Sequence, residues 1–245
     1  MPSSLHSSTA LVTGAARGIG LAIAVRLARD GVRVLASDAD GDVLKAAVEG
    51  LAEPRILAVP FDCRDRVAVA AVLDAHHPVQ IAVNCAGVAA DMVELGRLTR
   101  QDFERVLSVN LGGTFVVAQE AARRMTEGGR IINIASRGYL GGVGGGHYVA
   151  SKAGVVGLTR AMAVELRWRG INVNAVAPGM VDTRMLDSFD QATRLRLERR
   201  EPSGHAADPA TIAAIVAFLA SPDASQINGQ VLLADGGKTL GIVPL

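Results

Sequence analysis

The chain has almost no net charge, no long apolar run and almost no cysteine, and each shortage removes a class of function. Its 245 residues carry 25 Lys and Arg against 24 Asp and Glu, a formal net charge of +1, so it lacks the basic footprint that nucleic acid requires. No segment reaches the ~18 uninterrupted apolar residues of a membrane span. The N-terminal MPSSLHSSTALVTG has no basic stretch leading into a long apolar one, as a secretory signal would. These absences predict a cytoplasmic protein whose partner is a small soluble molecule, with no nucleic acid and no membrane. Cys63 and Cys85 are the only cysteines. Their separation suits neither a metal site nor a small disulfide framework, so both are expected to be reduced and non-catalytic, and no metal is expected.

What is present is apolar and periodic. Hydrophobic residues make up 49% of the chain, enough at this length to bury one large α/β core rather than two small ones. Short Val, Ile and Leu runs alternate with longer segments of helical period, the pattern of a parallel sheet covered on both faces. Strands are predicted at Ala10–Val12, Val32–Ala36, Ile56–Val59, Ile81–Asn84, Ile131–Ala135, Asn172–Val176 and Val231–Ala234. Helices are predicted at Ile19–Arg29, Gly41–Glu49, Val67–Ala75, Thr99–Met125, Tyr148–Trp168 and Pro209–Ala220, with a further one over Thr183–Arg200. No internal repeat is evident. The one biased stretch, GYLGGVGGGHY, is too short for an interdomain linker. A single domain over 1–245 is expected, with a substrate-loop segment at about 180–207.

The first strand runs into TGAARGIG, which places Gly14, Gly18 and Gly20 in a turn that opens a helix. Glycines allow the tight turn and let backbone N–H groups approach a diphosphate, whose charge the helix N-terminus favours. The bland alternative is an ordinary glycine-rich βα turn. Asp38 ends the second strand, some twenty residues on, where a carboxylate can accept bonds from the ribose hydroxyls of NAD and would repel the additional phosphate of NADP. Arg17, inside the glycine turn, points the other way, because it could pair with that phosphate. Asp38 could equally cap the following turn.

A second constellation lies further along. Tyr148 and Lys152 stand four apart in a helical segment, so they share a face, and Ser136 lies just upstream. A phenol is a poor acid/base at neutral pH unless its anion is stabilised. The lysine ammonium can do that. Such a spacing also occurs by chance on solvated helices, so its weight comes from the motifs around it.

With both ends in place, the chain resembles the classical short-chain dehydrogenases/reductases over nearly its full length. The matching pieces occur in the family's order: Thr13-Gly14-x-x-x-Gly18-x-Gly20, Asp62, Asn84-Cys85-Ala86-Gly87, Asn110, Ser136, Tyr148-x-x-x-Lys152 and Pro178-Gly179-Met180-Val181-Asp182-Thr183. The resemblance implies a doubly wound, Rossmann-like seven-stranded parallel sheet with the site at the carboxyl ends of the strands. It implies a nicotinamide cofactor, NAD in preference to NADP, held by Gly14, Arg17, Gly18, Ile19, Gly20 and Asp38. On the adenosine side it implies Asp62, the backbone of Cys63, Asn84, Ala86 and Gly87. Pro178, Gly179, the backbone of Val181 and Thr183 would hold the nicotinamide end beside Tyr148 and Lys152. It implies that Tyr148 acts as general acid/base, Lys152 supports it, Ser136 orients the substrate oxygen and Asn110 anchors a water in a proton relay. Family members commonly assemble as dimers or tetramers. A homotetramer is expected here, through Thr99–Met125, Tyr148–Trp168 and the apolar terminus TLGIVPL.

Two features depart from the family pattern. Cys85 stands where a second Asn is usual, and Ser136 precedes Tyr148 by one residue fewer than is common, a difference that Gly141, Gly142, Gly144, Gly145 and Gly146 could absorb. Substrate choice is expected to lie in Met180–Ala207, Val88–Leu98 and the glycine-rich loop, where Tyr139, Leu140 and Val143 would offer apolar lining. Arg184, Arg194, Arg196, Arg199 and Arg200 could recognise an anion, although their amphipathic spacing also suits a solvated face. Three functions fit: an NAD-dependent dehydrogenase of a secondary alcohol, favoured as a cyclic alcohol or diol; a 3-oxoacyl-thioester reductase acting on an acyl-carrier-protein or CoA substrate; and a catalytically silent nucleotide-binding scaffold.

Overall fold

The computed structural model describes residues 8–89, 92–142, 145–184, 186 and 190–241. In chain order the main elements are β1 (Thr9–Thr13), α1 (Gly18–Arg29), β2 (Arg33–Ser37), α2 (Gly41–Leu51), β3 (Ile56–Ala58), α3 (Arg66–Ala75) and β4 (Ile81–Asn84). They continue with α4 (Arg100–Leu107), α5 (Thr114–Arg124), β5 (Arg130–Ile134), α6 (Gly146–Leu166), β6 (Asn172–Pro178), α7 (Gln191–Glu198), α8 (Pro209–Ala220) and β7 (Val231–Ala234). The strands form one parallel sheet in the order β3-β2-β1-β4-β5-β6-β7. This is the single-domain Rossmann-like arrangement that the family resemblance implies, on the parallel sheet expected from the alternation.

Period-two side-chain placement distributes each strand between two cores. Ala10 and Val12 of β1 join Ile81 and Val83 of β4 beneath α1, α2 and α8, while Leu11 and Ala82 face α3, α5 and α6. Both faces are dry, which is why the strands read as near-continuous apolar runs. Each fully buried Leu or Ile contributes roughly 1.5–3 kcal/mol relative to exposure. The sheet changes direction at β1 and β4, where the chain winds outward on both sides and leaves a crevice above the strand ends.

A polar column crosses this interior. Asn84 and Asn133 are register partners on β4 and β5. Asn84 Nδ2 donates to Asn133 Oδ1 at 2.8 Å, Asn133 Nδ2 donates to Thr159 Oγ1 on α6 at 2.9 Å, and Thr159 Oγ1 donates to the Val155 carbonyl at 2.8 Å. Across the α3/α5 face, the buried Glu120 carboxylate is ringed by Arg66, Arg123 and Arg124.

Two helical expectations are corrected. The segment Thr99–Met125 is not one regular helix, because a π-helical turn at Ser108–Gly113 separates α4 from α5. There the Asn110 amide bonds the Val88 backbone instead of facing a neighbouring turn, and Gly113 lies so close to Cys63 that a Cβ would come within 2.3 Å of its sulfur. Of the segment Thr183–Arg200, the described residues hold one α-helix, α7, whose N-terminus is capped by Asp190 accepting from Thr193 N at 2.9 Å. Val143, Gly144 and residues 242–245 of the apolar terminus lie outside the described residues. Among the described residues, no helix is long and apolar enough to cross a membrane.

Candidate active site

The turn from β1 into α1 is built around close backbone approach. Gly14 has φ +67°, and a Cβ there would come within 2.8 Å of the Ala86 backbone; at Gly20 it would meet the Gly14 carbonyl at 2.0 Å. The turn is therefore packed onto the one that follows β4. Thr13 Oγ1 ties the two together by accepting from Cys85 N at 3.1 Å and Ala86 N at 3.2 Å. Asp40, Asp65, Thr99 and Asp208 cap α2, α3, α4 and α8 with side chains, whereas α1 has no side-chain cap. Its first N–H groups are left for another acceptor, and an anion suits them.

Asp38 lies at the end of β2 and reaches this turn. Its Oδ2 accepts from Ala16 N at 3.2 Å and its Oδ1 from Asp40 N at 3.1 Å. The capping alternative is thus realised together with placement in the crevice. Arg17 pairs with Asp40 at 3.0 Å, so its charge is already engaged. Asp62 is held by Arg64, whose side-chain hydrogen bonds keep the carboxyl below the usual carboxylate range.

Above β5 and α6 the second constellation assembles. Ser136 caps the 3-10 turn Arg137–Leu140, its Oγ accepting from Gly138 N at 3.1 Å. A Cβ on Gly138 would lie 3.3 Å from Ser136 Oγ and 3.4 Å from Tyr148 Cε1, so Gly138 marks the narrow gap between those two side chains. Lys152 is buried; its Nζ donates to the Ile134 carbonyl at 2.9 Å and stands 5.8 Å from the centre of the Tyr148 ring. Asn110 is fully buried. Its Oδ1 accepts from Val88 N at 2.8 Å, and its Nδ2 donates to the Val88 carbonyl at 3.2 Å and to Ser151 Oγ at 3.1 Å. Ser151 in turn donates to the Tyr148 carbonyl at 2.7 Å.

These pieces share one cleft of about 780 Å³. Gly14, Arg17, Gly18, Ile19, Gly20, Asp38, Asp62, Cys63, Ala86 and Gly87 line one end of it, and Ser136, Tyr148, Lys152, Pro178, Gly179, Val181 and Thr183 the other. The uncapped helix, the glycine cradle and the carboxylate at the end of β2 are the donor, shape and acceptor that a nicotinamide dinucleotide needs. The residues present fit that group.

Several expected residues are placed differently. The Asn84 side chain is committed to the buried column with Asn133 and does not line the cleft; it acts through the turn that it precedes. Asn110 sits behind the wall, clasping Val88. Leu140 is 56% exposed and Tyr139 packs towards Ala135 and Val155, so neither supplies the expected lining. Val88, Met92, Met180 and Leu186 form the apolar wall instead. Arg194 is bonded to Asp182 at 2.8 Å and to Glu198 at 3.0 Å, and Arg196, Arg199 and Arg200 are exposed; of the five arginines only Arg184 borders the cleft. Burial, reinforced by the Asp62 carboxylate, pushes the Cys63 thiol up to about 11, and burial pushes Cys85 up to about 12. Both stay protonated near neutrality, which leaves them poor nucleophiles. The sequence reading did not find Ser151 and Ile134. A serine next to a candidate lysine was the available sign of the first, while the second acts through a backbone carbonyl that no side-chain pattern reveals.

Comparison with known proteins places this geometry in context. A family model described as enoyl-(acyl carrier protein) reductase matches residues 14–239. The chain is 38% identical over 244 residues to (2S)-[(R)-hydroxy(phenyl)methyl]succinyl-CoA dehydrogenase subunit BbsD of Thauera aromatica, covering 96% of this chain and 98% of that one. It is 41% identical over 238 residues to 3-oxoacyl-[acyl-carrier-protein] reductase MabA of Mycobacterium tuberculosis, covering 96% and 94%. A solved dehydrogenase/reductase from Sinorhizobium meliloti superimposes with a TM-score of 0.89 at 36% identity, over 96% of both chains.

Proposed function

The chain belongs to the classical short-chain dehydrogenase/reductase family, and on that footing we propose that it is an NAD-linked dehydrogenase interconverting a 3-hydroxyacyl thioester and its 3-oxo form. The observation that carries this reading is the meeting of Ser136, Tyr148 and Lys152 with Asp38 and the glycine turn in one cleft. The relatives support the substrate class: one is named for a CoA thioester bearing a secondary alcohol, the other for a 3-oxoacyl thioester. Of the apolar lining that would suit a cyclic alcohol, Tyr139 and Leu140 do not border the cleft, and Val143 lies outside the described residues.

The chemistry follows from what the residues can hold and move. Bound nicotinamide supplies a hydride acceptor for the carbinol carbon. Tyr148 takes the hydroxyl proton. Lys152 is pinned to the Ile134 carbonyl and so held beside the ring. Ser136 bonds the substrate oxygen and holds it against Tyr148. The Asn110–Ser151–Tyr148 hydrogen bonds fix the backbone from which the phenol projects. Asp38 favours NAD, and the Arg17–Asp40 pair withholds the cation that a 2′-phosphate would seek.

A homotetramer in the cytoplasm is part of the same proposal. Phe115 on α5 and Val164 on α6 are 41% and 59% exposed, and Trp168, just beyond α6, is 83% exposed. Equilibrium sedimentation tests the assembly.

The activity test is an alkaline screen for NAD reduction over 3-hydroxyacyl thioesters, secondary alcohols, cyclic diols, polyols and hydroxysteroids, repeated with NADP. Fastest turnover of the thioesters with NAD is expected. A thioester rate below that of the cyclic diols, or faster reduction of NADP, would overturn the corresponding half of the proposal. Nucleotide binding without turnover of any substrate would favour the silent scaffold.

A further inference from the structure

The cleft and a second cavity, of about 640 Å³ between α1 and the start of α8, meet at three shared residues: Gly18, Thr183 and Arg184. At this joint the substrate loop touches the glycine turn. A Cβ on Gly18 would stand 3.2 Å from Thr183 Cγ2. Arg184 is the next residue along.

Four other charges near the joint are already engaged, while Arg29, farther along the second cavity, is exposed and has no ion pair among the described residues. Asp182 accepts from Arg194 at 2.8 Å, Asp208 caps α8 by accepting from Ala210 N at 2.8 Å, Arg26 pairs with Asp30 at 2.8 Å and Arg17 pairs with Asp40 at 3.0 Å. Arg184 is exposed and forms no hydrogen bond or ion pair among the described residues. Beside it begins α1, whose N-terminus has no side-chain cap. A guanidinium with no acceptor thus borders a cleft whose glycine turn presents backbone donors. An exposed arginine does not need a partner, because water serves it. Its position beside Thr183, which packs against the glycine turn at Gly18, is what gives it a ligand to reach.

We propose that Arg184 binds a phosphate group of a ligand lying across this joint, between the substrate loop and the glycine turn. The planar fork of arginine matches two phosphate oxygens at once, a geometry that lysine cannot reproduce. The inference rests on the nucleotide and thioester reading of the cleft, which offers two sources of that chemistry: the diphosphate of the dinucleotide, and the pantetheine-linked phosphate common to CoA and acyl-carrier thioesters.

Two measurements on Arg184→Gln separate them. Calorimetric titration of the free protein with NADH reads the first. The KM for a 3-hydroxyacyl-CoA against that for the matching N-acetylcysteamine thioester, which has no phosphate, reads the second. One of the two should weaken by about tenfold or more, the worth of a charge-assisted hydrogen bond, with partial recovery in Arg184→Lys. Weakened NADH binding assigns the diphosphate; a KM rise confined to the CoA substrate assigns the carrier. Values for both within about twofold of the parent would overturn the proposal while leaving the proposed function intact. Failure of the parent protein to bind NADH would sink the cofactor reading itself.

Discussion

Lys152 Nζ is tied to the Ile134 carbonyl at 2.9 Å while it lies 5.8 Å from the centre of the Tyr148 ring. The strand β5 therefore decides where the ammonium sits, and α6 decides where the phenol sits. With its charge anchored in this way, Tyr148→Phe should lower kcat by at least about 10²–10³, the span expected for loss of a general acid/base. NADH affinity, measured by fluorescence titration, should stay within about threefold of the parent. Retention of full turnover would remove Tyr148 from the reaction.

Gly138 offers a test that leaves every functional group in place. In Gly138→Ala the new methyl would sit 3.3 Å from Ser136 Oγ and 3.4 Å from Tyr148 Cε1, wedging the two apart where substrate oxygen must bridge them. A drop in kcat of about tenfold or more is expected, since small displacements cost that much in a preorganised site, with an unchanged melting temperature. Gly20→Ala should behave oppositely. Its methyl meets the Gly14 carbonyl at 2.0 Å, so loss of folded protein in a thermal melt is the expected result.

Asp38 holds the Ala16 and Asp40 amides as well as facing the cleft. Asp38→Ala should raise the KM for NAD and narrow the NAD to NADP ratio of kcat/KM by about tenfold, the scale of a lost hydrogen bond to a charged group. Parallel steady-state assays with the two cofactors measure it. An unchanged ratio would transfer the discrimination to another residue.

Glu120 gives a pH dependence whose sign can be worked out. Burial raises its carboxyl, but the hydrogen bonds from Arg124 and Arg66 outweigh burial and hold it below its ordinary 4.5. A carboxyl lower in the folded than in the unfolded chain stabilises the fold above the unfolded value and ceases to do so as pH falls through the folded one. Glu120→Gln should lower the melting temperature at pH 7 by about 2–8 °C. The parent and variant curves should then converge as pH falls through the lowered value of the folded carboxyl. A gap that stays constant with pH would assign the loss to packing.

The strands were legible because a parallel sheet buried on both faces writes itself as Val, Ile and Leu runs, and each predicted strand lies within two residues of its observed bounds. The π-helical turn at Ser108–Gly113 was not legible, since apolar residues continue through it and one wider turn barely disturbs the period. The adjacent Gly112 and Gly113, unusual inside a helix, were the sign available. In Arg194–Arg200 the amphipathic spacing correctly indicated a helix, but its length was overstated because the preceding residues Thr183 and Arg184 are held by the loop anchored at Val181 and Ala207. Ser136, Tyr148 and Lys152 could be read from side-chain identity and order. That the Asn84 side chain joins Asn133 in the interior was not legible, because the residues of a strand alternate in direction and spacing alone does not say which way this amide points.

Strands of nearly uniform Val and Ile composition could pair in more than one alignment, because an apolar side chain is acceptable on either face. The Asn84–Asn133–Thr159 column removes that freedom. Shifting β5 by one residue against β4 would separate the two amides and leave polar groups without partners in a dry interior. The same slip would carry Ser136 some ~3.3 Å along the strand, while Lys152 and Tyr148 ride on the helix that Thr159 holds to the sheet. Three buried polar side chains that do not themselves line the cleft thus serve as the alignment mark from which the spacing of the reacting groups is measured.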